Sequence, residues 1–145
     1  MELRDAEART ATRRDGWFEV TLVDGERCSA RALLLATGMV DDVPQIDGAR
    51  EFYGHGVHHC PYCDGWEHRD QPIVIYGRGH DAAGLALELT VWSRDLTLCS
   101  DGDAELPTKD RERLARQGIA VREERVARLE GRDGWLARVV FRGGE

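Results

Sequence analysis

Long hydrophobic runs are missing from this 145-residue chain, the longest being the short stretch Ala32–Ala36. A membrane-spanning helix needs about 20 apolar residues, so none is expected. The charged opening MELRDAEART lacks the apolar core of a secretory signal. Positive charge is the minority sign: 20 Lys and Arg stand against 27 Asp and Glu, for a net charge of −7. That balance argues against nucleic acid or an anionic membrane as the main partner. Cysteine is limited to four positions, too few for a disulfide-dense secreted scaffold. A reducing, cytoplasmic setting is the expectation, and there a Cys-X-X-Cys is catalytic or metal-binding rather than a staple. No internal repeat and no low-complexity tract is present.

The hydrophobic share, 41%, suits a folded domain, or pieces of two. Residues 1–15 read as charged and frayed or weakly helical. Alternation around Asp24-Gly25 then predicts a hairpin, with Trp17, Val20 and Leu22 opening one strand and Ala32–Ala36 forming a second, central one. Cys28 and Cys99 fall in strand-like contexts and read as buried small hydrophobes. A glycine- and proline-punctuated connection follows and is the best candidate for a domain boundary. From Gln71 onward the order is strand Ile73–Tyr76, glycine turn, helix His80–Trp92 and strand Leu96–Cys99. A helix over 109–117, a strand over 119–121 and a hairpin through Gly131–Gly134 complete it. Alternating strands and helices predict an α/β, Rossmann-like domain with a parallel sheet and a β-hairpin layer.

The turn Gly77-Arg78-Gly79-His80-Asp81-Ala82 fits the dinucleotide-binding fingerprint and stands between a strand and a helix, as that fingerprint requires. Gly77 permits the tight turn, Gly79 leaves room for a pyrophosphate, and Ala82 permits close helix–strand packing. His80 opens the helix whose free N–H groups would face the phosphates. The competing reading is a turn that uses glycine for packing alone. Asp101, at the end of the second strand, is placed to accept a hydrogen bond from a ribose 2′-hydroxyl, or else belongs to a solvated turn, Asp101-Gly102-Asp103. No arginine of the sequence stands at that strand end to receive a 2′-phosphate, which favours NADH over NADPH.

The densest chemistry lies in HGVHHCPYCDGWEH. Cys60 and Cys63 with two histidines make a common zinc half-site, but no second half follows at the usual spacing. A redox pair needs less. Two cysteines three positions apart close a short loop at a helix start, where thiolate is favoured. Asp64 is next to Cys63 and suited to exchange protons with a thiol. His55, His58 and His59 either raise thiolate character or guide substrate, with His55 and His68 more simply satisfied by backbone or water. Trp66 and Tyr62 read as packing residues, Tyr62 also as a possible substrate contact.

HHCPYCDG followed by QPIVIYGRGHDAAGLALEL, with ARALLLATGMVDDVPQIDG upstream, resembles the low-molecular-weight thioredoxin-reductase family of FAD- and NAD(P)-dependent disulfide oxidoreductases. The resemblance implies that Cys63 is the flavin-proximal thiol, Cys60 the interchange thiol that meets a small-molecule or protein disulfide or dithiol, and Asp64 the acid/base. It implies that Gly77, Gly79 and Ala82 hold the nicotinamide dinucleotide, and that Ala36, Thr37 and Gly38 form an inter-domain turn near FAD. Residues 1–47 then end an FAD domain and residues 48–145 form a NAD(P)-type domain. The family's opening strand and first glycine fingerprint have no counterpart here, so the expectation is a fragment inactive alone, with apolar surface around Leu33–Ala36 favouring a homodimer. In a second departure, Ser100-Asp101-Gly102 replaces the His-Arg-Arg cluster that holds NADPH in the family. The chain is also similar to a branch with a degenerate nicotinamide site, whose dithiol oxidases pass electrons to oxygen. The alternative is a non-catalytic module binding a dinucleotide, or zinc through Cys60, Cys63 and nearby His.

Overall fold

The structure, a computed structural model, describes residues 3–143. These pack as two compact units that divide between Val40 and Asp41. The first is a three-stranded antiparallel meander, β1 (Ala8–Arg14), β2 (Trp17–Leu22) and β3 (Arg27–Ala30). Asp15-Gly16, both at positive φ, joins β1 to β2, the backbone that a primed two-residue turn requires. Asp24-Gly25 turns β2 into β3, pairing Thr21 with Arg27.

Two expectations fail here. The opening residues are strand from Ala8 rather than frayed or helical. Every residue of β1 is exposed, so burial imposed no alternation for the sequence to display. Ala32–Ala36 is not a strand: it lies outside the sheet, with Leu34 88% and Leu35 72% exposed. An apolar run raises strand propensity, but a strand also needs an edge to pair with. Cys28, on β3, is half-buried rather than buried.

The second unit holds the parallel sheet. β4 (Ile73–Tyr76), β5 (Leu96–Cys99) and β6 (Ala120–Arg122) pair in that order. The crossovers are α2 (Gly79–Glu88), tightened into a 3-10 turn at Leu89–Val91, and α3 (Thr108–Arg116), α1 being the short helix of the thiol motif described below. The helix expected over His80–Trp92 therefore starts one residue earlier and ends its α-form at Glu88. α2 turns Ala82, Ala83 and Ala86 inward, small side chains that let it approach Ile75, Leu96 and Leu98 closely. Leu98 and Leu114 are fully buried.

A hairpin of β7 (Val126–Arg132) and β8 (Trp135–Phe141) turns at Asp133-Gly134, again both at positive φ. Its apolar residues meet Cys99 and Ile46 in a second core. The backbone N–H of Leu129 donates to the Asp47 carbonyl at 2.8 Å, and Val43 is buried. Packing thus assigns residues 41–47 to the second unit, and the structural division falls at Val40 rather than at residue 47. Among the described residues no helix is long and apolar enough to cross a membrane.

Candidate active site

The thiol motif folds as a single helical turn, α1 (Pro61–Asp64), with Cys60 as its cap in extended conformation. Proline at the first helical position fits because its ring presets φ and its missing N–H would be unpaired there anyway. The Cys60 carbonyl accepts from the backbone N–H of Cys63 at 3.2 Å and of Asp64 at 3.4 Å. The turn ends at Gly65, which is there for space: a Cβ would stand 2.5 Å from Trp92 Nε1 and strike the Pro61 carbonyl.

Both cysteines are free thiols, Cys60 half-buried and Cys63 exposed. They are not equivalent. The Cys63 thiol donates to the Cys60 sulfur, and the backbone N–H groups of Cys63 and Tyr62 add to it, holding the Cys60 thiol below the usual cysteine range. The Cys63 thiol, as donor in that contact and partly desolvated, lies above that range. The pair is thus biased towards a Cys60 thiolate beside a Cys63 thiol, the favoured nucleophile being the N-terminal cysteine. Cys99, in contrast, is buried at the end of β5, which pushes its thiol to about 11.

Three of the four motif histidines are organised. His58 Nδ1 lies 3.4 Å from Asp64 Oδ2, and its Nε2 lies 3.1 Å from His68 Nε2. His59 Nδ1 is 2.7 Å from the Tyr53 hydroxyl, which donates at 2.5 Å to Asp41 Oδ2. With its one proton committed to Asp41, the phenol accepts from His59, so His59 carries hydrogen on Nδ1. The Asp41 contact pushes the Tyr53 phenol up to about 12. His55 meets Trp135 edge-on at 5.5 Å. The reading of His68 as satisfied by backbone or water is corrected, since its partner is His58. Tyr62, read as packing, is 76% exposed, whereas Trp66 packs edge-on against Trp92. Tyr53 and Asp41 were not legible beforehand, because a loop contact leaves no periodic trace.

The glycine turn adopts the backbone its fingerprint demands. The N–H of Gly77 donates to the Cys99 carbonyl at 3.0 Å, tying the turn to β5. A Cβ at Gly77 would press on the Ala82 methyl at 3.0 Å, the close helix–strand approach anticipated. Gly79 has φ +68, with open space where a Cβ would stand. These residues fit a pyrophosphate lying against the N-terminus of α2. His80 does not lie free in that turn: its Nδ1 bonds Asp110 of α3 at 2.7 Å. Ala36, Thr37 and Gly38 belong to the exposed, extended segment of the first unit, with Gly38 at φ +72 and open around its α-carbon. That backbone is accessible to a cofactor edge, but the surrounding wall of a flavin site is not formed by the first unit's described residues.

The end of β5 differs from expectation. Arg78 reaches it from the glycine turn, donating through Nε to the Ser100 carbonyl at 2.8 Å and through a terminal nitrogen to the Asp101 carbonyl at 2.7 Å. Arg125 stands 3.5 Å from the Asp101 carboxylate. Two arginines therefore do stand at this strand end, brought by the fold rather than by sequence adjacency. Asp101 is no free solvated residue either. It accepts from the Val126 N–H at 2.7 Å and the Tyr76 hydroxyl at 3.2 Å.

Comparison with known proteins agrees with this geometry. A family model described as pyridine nucleotide-disulphide oxidoreductase matches residues 4–145. The bifunctional thioredoxin reductase/thioredoxin of Mycobacterium leprae is 37% identical over 97 residues, covering 67% of this chain and 21% of that protein. The crystal structure of an oxidoreductase from Agrobacterium tumefaciens, 32% identical, superposes with a TM-score of 0.79 over 98% of this chain and 46% of its own. The atypical thioredoxin reductase TRi from Desulfovibrio vulgaris Hildenborough, also 32% identical, gives 0.67 over 98% of this chain and 48% of its own. The chain thus spans about half the length of those solved relatives and a smaller share of the curated one. With the thiol turn, the glycine turn and the parallel sheet all in place, this chain belongs to the pyridine nucleotide-disulphide oxidoreductase family.

Proposed function

We propose that the chain carries the dithiol and dinucleotide parts of a thioredoxin-reductase-like, FAD-dependent disulfide oxidoreductase. Electrons would pass between nicotinamide or oxygen and a small-molecule or protein disulfide or dithiol, in the reducing cytoplasm where a thiol pair stays available. The observation that carries this reading is the unequal pair itself, a thiolate-favoured Cys60 beside a proton-holding Cys63. On this reading Cys60 attacks a substrate disulfide, forming a mixed disulfide and releasing one substrate thiolate. Cys63 then yields its proton towards Asp64 and attacks the Cys60 sulfur, releasing the second substrate thiolate. The substrate disulfide is reduced by two electrons and the Cys60–Cys63 disulfide is formed; run backwards, the same steps oxidise a dithiol. The chemistry that a bound FAD supplies is two-electron exchange between this thiol pair and nicotinamide or oxygen.

The zinc-module alternative is not favoured. The two sulfurs engage each other, and the imidazoles nearest them engage Asp64, His68 and Tyr53. The test is a redox titration with alkylation and peptide mapping. A reversible two-electron Cys60–Cys63 disulfide, with Cys99 unchanged, is expected. Thiols that never pair, or that only stoichiometric zinc protects, would remove the reading.

NADH is the proposed dinucleotide. The Asp101 carboxylate at the ribose end disfavours a second anion, while Arg78 is committed to carbonyls and Arg125 stands beside that same carboxylate. Titration by tryptophan fluorescence is expected to show tighter binding of NADH than of NADPH. The reverse order would mean that Arg78 and Arg125 turn to a 2′-phosphate.

A further inference from the structure

His58 and His68 lie outside the set of residues that the proposed function uses, yet they extend it. Asp64 Oδ2, His58 Nδ1, His58 Nε2 and His68 Nε2 form one continuous line, with gaps of 3.4 and 3.1 Å. The two rings are 4.8 Å apart between centroids. A pair of facing imidazole nitrogens holds one proton between them, since one must donate and the other accept. At the far end, His68 Nδ1 lies 3.5 Å from Gln71 Oε1. His68 sits in the turn that enters β4, and His58 is about one-fifth exposed.

We propose that His58 and His68 are a two-imidazole proton relay serving Asp64, joining the Cys60–Cys63 pair to solvent. The inference rests on the disulfide-exchange reading above. When Cys63 loses its proton, Asp64 accepts it and passes it to His58 Nδ1. His58 releases the hydrogen on Nε2 to His68 Nε2, and His68 gives up a proton from Nδ1 to solvent or to the departing substrate thiolate. No electrons move in this line, and each ring ends in the tautomer opposite to the one it began in. The reverse path starts from those flipped tautomers, returns both rings to their starting ones, and reloads the thiols on reduction.

The ionisable groups around the relay are few. Asp64 meets it from α1, on the turn that Cys60 caps and that carries Cys63, and Asp41, Tyr53 and His59 form a second hydrogen-bonded group on the preceding loop. That separate group is locked by its own short contacts. The line through His58 sets three titratable side chains in sequence, with approaches of 3.4 and 3.1 Å, and proton exchange between such neighbours is what a relay requires.

The experiment measures the reduced protein reacting with 5,5′-dithiobis(2-nitrobenzoate) by stopped flow, from mildly acid to mildly alkaline pH. His68→Gln keeps an amide able to hold His58 but cannot relay protons, and His58→Phe breaks the line at its centre. The relay predicts an unchanged first release of thionitrobenzoate, which reports attack by Cys60. The second release, which reports closure of the Cys60–Cys63 disulfide, slows about 10- to 100-fold in both variants. Added imidazole restores that second release in His58→Phe. A second release of unaltered rate and pH profile in His68→Gln overturns the relay. So does a defect that imidazole leaves unchanged and that comes with a lowered Tm, which would make the histidines structural. Failure of the unaltered protein to close the disulfide would overturn the exchange reading itself, so the two failures are told apart.

Discussion

Replacing Cys63 with serine is expected to trap substrate on Cys60, and replacing Cys60 is expected to abolish exchange altogether. The asymmetry follows from the contact between the two sulfurs. Cys60 accepts hydrogen bonds from the Cys63 thiol and from two backbone N–H groups, which favour its thiolate. Since the thiolate is the attacking species, Cys60 should react at a lower pH than an ordinary cysteine. Its loss should cut the rate with a small disulfide by about 10³-fold or more, the scale on which removing a nucleophile acts. In Cys63→Ser the attack still occurs, somewhat weakened because a hydroxyl replaces the thiol donor. The resolving sulfur is then missing, so a stable mixed disulfide accumulates at Cys60. Intact-mass analysis after mixing with a small disulfide, followed by peptide mapping, decides the matter. The Cys60→Ser protein should remain unmodified at position 63 under the same mildly acid conditions. Trapping on Cys63 in place of Cys60 would reverse the assigned roles.

Leu98→Ala should be the most damaging single change in the core. Leu98 lies on β5, the middle strand of the parallel sheet, and is fully buried. Ala82, Ala83 and Ala86 of α2 come close on one side of the same core, and small side chains have little reach with which to fill a void. Truncation should therefore cost about 2–5 kcal/mol, with the cavity term near its upper end. An ordinary domain is stable by only about 5–15 kcal/mol, so a substantial part of the margin goes. A Tm lowered by roughly 10–20 °C is expected in calorimetry. A fall of only a degree or two would mean that β5 relaxes onto α2 and closes the gap. The change leaves the thiol turn untouched, so exchange below the new Tm should persist.

Much of the second unit was readable from the chain because its signals are local. Ile73–Tyr76, the glycines at 77 and 79 and the apolar helix behind them occupy one short span, and glycine there is demanded by backbone conformation and close approach. The same holds for Cys60, Cys63 and Asp64, which are neighbours in sequence as well as in space. What stayed hidden depends on contacts between distant positions. Arg78 and Arg125 reach the end of β5 from the glycine turn and from the loop before β7. His68 meets His58 across the thiol turn. Asp41 meets Tyr53 and marks where the second unit begins to pack. The exposed run Leu34–Leu35 misled in the opposite direction, since hydrophobicity suggests burial but supplies no partner to bury against.

Gly65 sets a distance. By having no side chain it lets the thiol turn seat against the Trp92 indole, which closes the C-terminal end of the helix begun at Gly79. The glycine turn is at the other end of that same helix. Ten residues of α2 span about 15 Å, a rod with the glycine turn at its N-terminus and the Gly65 contact with Trp92 just beyond its C-terminal end. The helix therefore acts as a spacer, fixing how far the thiol turn stands from the glycine turn.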